Sequence, residues 1–481
     1  MSKVLFVNPP MIFNYEKGRK KGTAPIRPNV SVPALLILGE LKKYAYETFF
    51  IDMAAEGHNQ ISKIRKNIFC FGLGNDVLAA KIRQIKPTAV LISSLFLTNI
   101  EMVKSVARTV KETPPKAKVI VGGGFASEKP EWHLESKSID FVVLGEGEEK
   151  IVKLLQEIKK ENPNFESIKG IAFRKNGKIK IIKKAEQKPE FNPSFDYETV
   201  LFKQNNEYRY PEAITRKDLL YSHNIIGEQR ACVFYGSRGC PMGCDYCSAF
   251  SREGRTIRHM GGKKLFEQIK LLHKKYQVNV FYNQADAFGL HEEDKKFLKL
   301  LAEYRKNNPE IALNNPNAFF VRIFFKEDKI DKEFILLLKD AGFNVITLAV
   351  ETFNQRFNKK IDFSQIKFEK IQALCNFIRS QGMKIDIYMM YGFPSETIGE
   401  LNNDLKKAKE LQKTADEISW GFLEILPGSE YYKKAIKEKW FSEEEYRKKI
   451  EEGYSFSKIN SFFNFSKIPP EKLKEIFEKK N

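Results

Sequence analysis

Long apolar runs are missing from this 481-residue sequence. The longest candidate near the start covers residues 32–38, far short of the roughly 20 residues that a helix needs to span a bilayer. The first ten residues, MSKVLFVNPP, also lack the charged, then apolar, then small-residue order of a signal peptide. These absences argue against a transmembrane segment and predict a cytoplasmic protein.

Cysteine is scarce and unevenly placed. Only six are present, and three of them lie in one short stretch, at Cys240, Cys244 and Cys247. A long chain with such a cluster is not a disulfide scaffold, and the clustering indicates metal or redox chemistry. The other cysteines lie in apolar runs, where we expect small core residues. They are Cys70, Cys232 and Cys375.

Acidic residues are the minority among the charged ones. There are 61 Asp and Glu against 81 Lys and Arg, which gives a net charge of +20. Such an excess is compatible with binding to nucleic acid, an anionic lipid surface or an acidic substrate. The lysines are spread along helical stretches, and no basic cluster interleaved with aromatics stands out. Compositional bias therefore explains the charge better than a nucleic-acid role, which stays the weaker alternative.

Strands and helices alternate along the first third of the chain. Fully apolar runs such as VLFVNPP, TAVLISSLF and KVIVGGG are separated by segments with helical periodicity. This pattern is typical of a parallel sheet covered on both faces. It predicts a doubly wound, Rossmann-like α/β domain over residues 1–160, with the loops at the strand carboxyl ends along one edge.

The rest of the chain is predicted to hold a connection, a barrel and an extension. Residues 161–228 form the linker, with a hairpin indicated by Asn176-Gly177 between two alternating runs. Six further strand–helix units over residues 229–427 predict a partial (β/α)6 barrel. Residues 428–481 are predicted to form a small, mostly helical extension.

The cysteine cluster lies in the sequence GSRGCPMGCDYCSAF, directly after the first predicted barrel strand. Thiolates are the natural ligands of iron–sulfur clusters. A cubane cluster normally takes four ligands, so three leave one iron open to chelate an amino and a carboxylate group. Gly239 and Gly243 let the loop wrap closely, and Pro241 stiffens it. The spacing therefore predicts a [4Fe–4S] site.

Zinc is the alternative metal for this stretch. A structural zinc site takes four ligands, usually from two knuckles, and only one knuckle is present. His259 is a conceivable fourth ligand but stands alone. Zinc is therefore the weaker interpretation.

The spacing C-x3-C-x2-C with an aromatic before the last cysteine resembles the radical S-adenosylmethionine superfamily. The resemblance continues through the barrel in LAVETF (residues 348–353), YGFPSET (residues 391–397), LPGSEYY and QADAFG. It implies that a reduced cluster cleaves S-adenosylmethionine to a 5′-deoxyadenosyl radical, which abstracts hydrogen from the substrate, with Glu351 at the cofactor ribose. The sequence departs from the pattern at Thr352, where Ser is commoner. The residues implied to bind cofactor are Tyr246, Asp286, Glu351, Thr352, Gly392 and Pro394.

The first domain also resembles a known one. FGLGNDVLAAKIRQIKPTAVLISSLF, VIVGGGFAS and DFVVLGEGEEKIVKLL are similar to the cobalamin-binding domain that precedes the barrel in many radical enzymes. Glycines at strand ends leave room for a ligand against the backbone, although a plain doubly wound domain with tight turns would carry them too. The corrin contacts implied by the resemblance are Ser93, Ser94, Gly122, Gly123, Gly124, Gly145, Glu146 and Gly147.

The Asp-x-His-x-x-Gly motif, whose histidine ligates cobalt in many cobalamin proteins, is missing. Asp52 and His58 are present but not at that spacing. The expectation is cobalamin bound without a protein histidine on cobalt. A domain that no longer binds corrin is the alternative.

Together the resemblances imply a cobalamin-dependent enzyme similar to class B radical S-adenosylmethionine methyltransferases. It would methylate an unactivated carbon or phosphorus centre of a small-molecule, lipid or peptide substrate, with electrons from a flavodoxin- or ferredoxin-type donor. The alternatives are radical rearrangement, cyclisation or carbon–carbon coupling, for example on a lipid or natural-product precursor. A tRNA-modifying enzyme is less favoured, since such relatives usually carry a second cysteine set. Outside catalysis, the chain could be a corrin or iron–sulfur carrier or sensor.

Overall fold

The computed structural model describes residues 2–14, 29–65, 68–183, 190–210, 230–358, 366–452 and 462–477. The chain divides into two compact units. The first comprises Met1–Lys188, Asn192–Ala213 and Phe441–Ser455, and the second comprises Pro189–Phe191, Ile214–Trp440 and Phe456–Asn481. Within these described ranges, no helix is long and apolar enough to cross a membrane. Part of the predicted linker, residues 184–189 and 211–228, lies outside the described residues.

In the described residues before the barrel, the first unit contains ten strands and eight α-helices. The strands are β1 (Lys3–Asn8), β2 (Met11–Asn14), β3 (Glu47–Asp52), β4 (Ile61–Arg65), β5 (Ile68–Phe71), β6 (Ala89–Ser93), β7 (Lys118–Gly122), β8 (Phe141–Val143), β9 (Ile171–Lys175) and β10 (Lys178–Ile181). The helices are α1 (Val32–Lys42), α2 (Met53–Glu56), α3 (Asn75–Ile85), α4 (Ile100–Glu112), α5 (Gly124–Glu128), α6 (Pro130–Leu134), α7 (Glu148–Ile158) and α8 (Tyr197–Leu201).

A seven-stranded sheet in the order β10-β9-β8-β7-β6-β1-β3 forms the centre of this unit, and β2, β5 and β4 form a separate small sheet. Strands β3, β1, β6, β7 and β8 run parallel, so their carboxyl ends share one edge. The chain order reverses between β1 and β6. In open parallel sheets the crevice at such a reversal is where ligands bind.

Both faces of the sheet are buried. Leu5 and Val7 belong to the core cluster that includes apolar residues of α3 and α4. Successive side chains of a strand point to opposite faces, and Val4 and Phe6 are equally buried. The doubly wound arrangement predicted from the apolar runs is therefore confirmed.

Two further segments join the first unit. The Asn176-Gly177 hairpin forms, with both residues in the left-handed conformation that a two-residue turn needs. Its strands β9 and β10 extend the central sheet in antiparallel fashion rather than standing apart. The C-terminal segment Phe441–Ser455 also packs here, where Arg447 pairs with Glu135.

The second unit is built from parallel strand–helix units. Its strands are β11 (Ala231–Phe234), β12 (Ser237–Arg238), β13 (Arg258–His259), β14 (Val280–Asn283), β15 (Ala312–Asn314), β16 (Phe319–Phe320), β17 (Phe325–Lys326), β18 (Lys329–Ile330), β19 (Val345–Glu351), β20 (Lys384–Tyr391) and β21 (Glu417–Phe422). The helices are α9 (Ala249–Glu253), α10 (Gly262–Tyr276), α11 (Glu292–Arg305), α12 (Lys332–Asp340), α13 (Gln355–Asn358), α14 (Phe368–Ser380), α15 (Ile398–Leu411) and α16 (Glu430–Lys437). After them come α17 (Glu443–Glu451), in the first unit, and α18 (Pro470–Phe477).

The barrel strands fall into two parallel sheets. Their orders are β11-β14-β15 and β16-β19-β20-β21, and a single parallel bridge joins Leu313 to Phe343. Helix starts follow sequence signals, since Thr397 and Glu400 form a capping box at the start of α15. The predicted α/β class, with a partial barrel and a helical C-terminal region, is confirmed. The carboxyl ends of the barrel strands carry the residues considered next.

Candidate active site

The cysteine loop follows the first barrel strand, and its backbone conformation depends on glycine. Gly239 has φ +96°, and a side chain at this position would collide with the carbonyl oxygen of Thr256. The next amide, of Cys240, donates to Gly254 O at 3.0 Å. The loop is therefore tied to the chain that returns from α9, and the first cysteine is held at a defined position.

The three thiols share a desolvated environment. Burial raises the pKa of Cys240 to about 12 and also raises the pKa values of Cys244 and Cys247. The neighbouring thiols add to the rise at Cys244, so the cysteines are within electrostatic reach of one another. Among the described residues no three His, Cys, Asp or Glu side chains form a ready-made metal site. Since metal ligands must be deprotonated, binding of a cluster would displace the thiol protons.

Tyr246 links the cysteine loop to the end of β19. Its hydroxyl is within hydrogen-bonding reach of both the Cys244 thiol and the Glu351 carboxyl group. Burial raises the pKa of Glu351 to about 7, and the hydrogen bond from Tyr246 acts in the opposite direction. The structure thus brings Glu351 to two residues of the cysteine loop that lie far from it in the sequence.

Asp286 lies beyond the end of β14 and faces the same group. Burial, followed by the charge of Glu253, raises the pKa of Asp286 to about 6, while Arg252 acts to lower it. Its charge in turn contributes to the raised pKa values of Cys240 and Cys247. Its Oδ2 is buried and has no hydrogen-bond partner within the described part of the chain. A buried acceptor without a partner is costly unless a ligand supplies the donor.

Thr352 directly follows Glu351 at the end of β19. Its side chain is fully buried, and its hydroxyl donates to Asp404 Oδ2 at 2.5 Å. The Thr352 hydroxyl oxygen in turn accepts from the amide of Asn354 at 3.0 Å. The hydroxyl is therefore engaged in two hydrogen bonds inside the protein, next to Glu351.

The loop after β20 is shaped by Gly392 and Glu396. Gly392 has φ +85°, and a Cβ atom there would lie 2.5 Å from the Phe422 ring. Its amide donates to Glu396 Oε2 at 2.7 Å, and that of Phe393 donates at 3.3 Å. Pro394, in the same turn, is half-buried. A buried carboxylate therefore organises this loop from within.

Sequence reasoning missed three carboxylates of this region. Glu396 belongs to the quoted YGFPSET segment, so the motif itself was the available signal. Asp404, on α15, carries no local signal. Glu424 follows the end of β21, and burial raises its pKa to about 8. The only sequence feature that could have indicated a role for Glu424 is its position just beyond the carboxyl end of a strand.

His259 is not available as a zinc ligand. Its Nδ1 accepts from the amide of Gly261 at 2.8 Å, and its Nε2 lies 3.1 Å from Asp294 Oδ1. Both ring nitrogens are engaged, and the residue ties β13 to the start of α11. His259 was the candidate that the sequence offered as a fourth zinc ligand, and its two hydrogen bonds show that it has a structural role.

In the first unit, the predicted corrin contacts gather at the carboxyl edge of β6, β7 and β8. Ser93 pairs with Gly122, and the amide of Ser94 donates to Gly122 O at 2.7 Å. Gly123 has φ +120°, and a Cβ atom there would lie 2.6 Å from Ser94 O. Gly124 begins α5. Beside Gly122, by contrast, the nearest atom to an added Cβ lies at an ordinary van der Waals distance of 3.8 Å, so this position has room for a small side chain.

Hydrogen bonds fix the loops at this edge. Ser94 Oγ lies 2.9 Å from His133 Nε2, and burial lowers the pKa of His133 to about 4, so the imidazole is neutral. The hydroxyl of Ser94 is thus used internally. Gly145 donates to Ser127 Oγ at 2.8 Å. Beyond it, half-buried Glu146 and Gly147 lead into α7.

Two family models match this chain. The B12 binding domain matches residues 32–155, and the Radical SAM superfamily matches residues 234–408. The first range holds the glycine edge, and the second holds the cysteine loop, Glu351 and Glu396.

Curated relatives align along most of the chain at low identity. Cytidylyl-2-hydroxyethylphosphonate methyltransferase of Streptomyces wedmorensis is 22% identical over 87% of this chain and 80% of its own length. Anaerobic magnesium-protoporphyrin IX monomethyl ester cyclase of Cereibacter sphaeroides is 24% identical over 88% of this chain. The alignment spans 62% of the cyclase, so a large part of that protein has no counterpart here.

A solved structure shares the fold. The radical S-adenosylmethionine methyltransferase TsrM of Kitasatospora setae, with cobalamin and a [4Fe–4S] cluster bound, matches with a TM-score of 0.67 at 16% identity. The match covers 91% of this chain and 75% of that chain. The chain thus joins a B12-binding domain to a radical S-adenosylmethionine domain, and it belongs to the cobalamin-binding-domain-containing radical S-adenosylmethionine enzymes.

Proposed function

We propose that this enzyme transfers a methyl group to an unactivated carbon or phosphorus centre. The observation that carries the proposal is the presence of both domains in one chain that aligns with a named methyltransferase over 87% of its length. When bound, the cluster would supply an electron for cleavage of S-adenosylmethionine, and the corrin would carry the methyl group. Thiols are the ligands that an iron–sulfur cluster takes, and glycines at a strand end let a ligand approach the backbone.

In this proposal the barrel residues hold and orient S-adenosylmethionine. Cys240, Cys244 and Cys247 are the three cluster ligands, which leaves one iron for the amino and carboxylate groups of the cofactor. Glu351 accepts hydrogen bonds from the ribose, and the orphaned Oδ2 of Asp286 accepts one from the bound cofactor. Buried surroundings keep water away from the radical.

The first unit holds cobalamin at its glycine edge. Gly122, Gly123 and Gly124 let the ligand approach the backbone, with Ser93 and the turn at Gly145 beside them. We propose that cobalt is bound without a protein histidine. Glu146 and Gly147 complete the rim. The Ser94 hydroxyl supports the loop through its hydrogen bond to His133 and does not contact the ligand in this proposal.

Metal and corrin quantitation tests the two sites. After anaerobic reconstitution with iron, sulfide and hydroxocobalamin, we expect the native protein to hold a [4Fe–4S] cluster and one corrin. Cys240→Ala should lose the cluster and keep the corrin, because the two lie in separate domains. Cys232→Ala is the matched control, since Cys232 is buried in β11 outside the loop. Equal iron content in both variants would contradict the assignment.

Product analysis tests the reaction. Each methylation consumes two molecules of S-adenosylmethionine. One gives its methyl group and leaves as S-adenosylhomocysteine, and the other accepts an electron and leaves as methionine and 5′-deoxyadenosine. We therefore expect both adenosyl products after reduction. Absence of 5′-deoxyadenosine and of S-adenosylhomocysteine would leave a carrier or sensor as the better description.

The cyclase relative favours a second candidate, radical ring formation or rearrangement. That chemistry consumes the adenosyl radical without net methyl transfer. It predicts 5′-deoxyadenosine with no S-adenosylhomocysteine, and no deuterium in the product when the methyl group of S-adenosylmethionine is deuterated. The same measurement thus separates the two reactions.

The partners in this proposal follow from the chemistry. The electrons come from a flavodoxin- or ferredoxin-type donor, and the substrate is a small molecule, a lipid or a peptide. A reducing compartment such as the cytoplasm suits cysteines that must stay reduced to bind iron.

A further inference from the structure

The backbone at Glu351 is strained. Glu351 has φ +64°, a left-handed conformation that side chains other than glycine rarely adopt. The amide of Thr352 donates back to Val350 O at 2.8 Å, which closes a three-residue turn with Glu351 at its centre. Turns of this hand over three residues are rare and strained. The pairing between β19 and β20 also shifts register between Ala349 and Glu351.

A strained conformation persists only where the surroundings hold it. Here the surroundings are a buried anchor on α15. Asp404 is 1% exposed, and its two oxygens accept from the Thr352 hydroxyl at 2.5 Å and from the amide of Phe353 at 3.2 Å. The residues immediately after the strained turn are thus fixed to a rigid helix by two hydrogen bonds to one carboxyl group.

A second set of hydrogen bonds holds the same segment, but the side chain that makes them is exposed to solvent. Arg356 donates to both oxygens of Glu400, at 3.1 and 2.8 Å, and to Ser395 Oγ at 2.8 Å. The Arg356 side chain is 46% exposed. Exposed ion pairs contribute little, whereas buried hydrogen bonds to a carboxylate are costly to break. The anchor at Asp404 is therefore the tie that decides the conformation of the turn.

We propose that Asp404 is a positioning residue, which acts through Thr352 to hold the strained turn that presents Glu351 to the adenosyl group of S-adenosylmethionine. The inference rests on the proposed function, because it takes Glu351 as the ribose contact. It also explains why threonine is accepted beside Glu351: the position needs a hydroxyl for an internal hydrogen bond.

The test uses the reconstituted, cluster-loaded enzyme and equilibrium dialysis with labelled S-adenosylmethionine. Thr352→Val keeps the shape and removes the hydroxyl. We expect about tenfold weaker binding, a loss of about 1.4 kcal/mol, with unchanged iron content. Thr352→Ser restores the hydroxyl and should bind like the native enzyme. Arg356→Gln removes only the exposed tie and should also bind like the native enzyme.

A double-mutant cycle separates positioning from general destabilisation. Glu351→Gln should weaken binding, and Thr352→Val should then add little, because the group that it positions is already lost. Additive losses would overturn the proposal, and so would native affinity in Thr352→Val or in Glu351→Gln. Failure of the proposed function has another signature, namely a native enzyme that neither binds nor cleaves S-adenosylmethionine.

Discussion

Replacing Glu396 by glutamine is expected to make the stability of the barrel less dependent on pH. Glu396 is 1% exposed, and its Oε2 accepts from the amides of Gly392 and Phe393. Its Oε1 is buried and has no hydrogen-bond partner in the described ranges. Burial raises the pKa of Glu396 to about 7, the two amides act to lower it, and the charges of Asp404 and Glu400 act to raise it.

The sign follows from the direction of this shift. An acid whose pKa is higher in the folded state binds its proton more tightly there, so folding is favoured at low pH. The advantage is lost as the pH rises from the ordinary value of 4.5 to about 7. A shift of this size corresponds to about 3 kcal/mol, of which about 2.5 kcal/mol falls between pH 5 and pH 8. Glutamine keeps one acceptor oxygen and has no charge to desolvate.

The measurement is the thermal midpoint of the native protein and of Glu396→Gln at pH 5 and pH 8. For a unit of this size, the thermal midpoint of Glu396→Gln relative to that of the native protein should be about 5–10 °C higher at pH 8 than at pH 5. Glu400→Gln is the control. Burial acts to raise the pKa of Glu400, but hydrogen bonds from Thr397, Asn354 and Arg356 lower it to about 2. The difference in thermal midpoint between Glu400→Gln and the native protein should therefore stay nearly constant between pH 5 and pH 8. Parallel profiles for native and Glu396→Gln would refute the reasoning.

Two pairs of glycine substitutions test the loops at the two sites. Gly239→Ala should lower iron incorporation, because the left-handed backbone and a neighbouring carbonyl leave no room for a side chain. Gly243→Ala should retain iron, since an added Cβ would meet only the end of an arginine side chain at 3.7 Å. Gly123→Ala should lower corrin uptake, because it distorts the loop after β7. Gly122→Ala should leave the fold intact, because the neighbouring atoms leave room for the added methyl group. Iron assay, corrin absorbance and the thermal midpoint of each variant check these outcomes. Equal iron uptake within the first pair would show that the loop adapts, and a less stable Gly122→Ala than Gly123→Ala would contradict the packing argument.

The domain architecture was predictable because its signals are local. Apolar runs of strand length between helical segments identified the doubly wound unit and the barrel, and the cysteine spacing and the three consecutive glycines after β7 pointed to the two sites. The Asn176-Gly177 turn was predicted for the same reason. Its strands join the edge of the central sheet, which no local pattern could have indicated.

The inner supports of the candidate site were not predictable in this way. Thr352 looked like a cofactor contact, because its neighbour Glu351 matches a family position. Only the folded structure shows that its hydroxyl donates to a carboxyl group 52 residues further along the chain. Glu396 lay inside a quoted motif, yet its role as a buried acceptor for two amides needed the folded loop.

The sequence by itself determined the order of strands and helices, the thiol spacing and the turn at Asn176-Gly177, because these depend on neighbours within a few residues. Tertiary structure decided which carboxyl groups are buried, which hydroxyls are already engaged, and that Glu351 stands at the centre of a strained turn. It also decided that the segment Phe441–Ser455, late in the chain, packs with the first unit. These features depend on contacts between residues far apart in sequence, whose free energies no local pattern encodes.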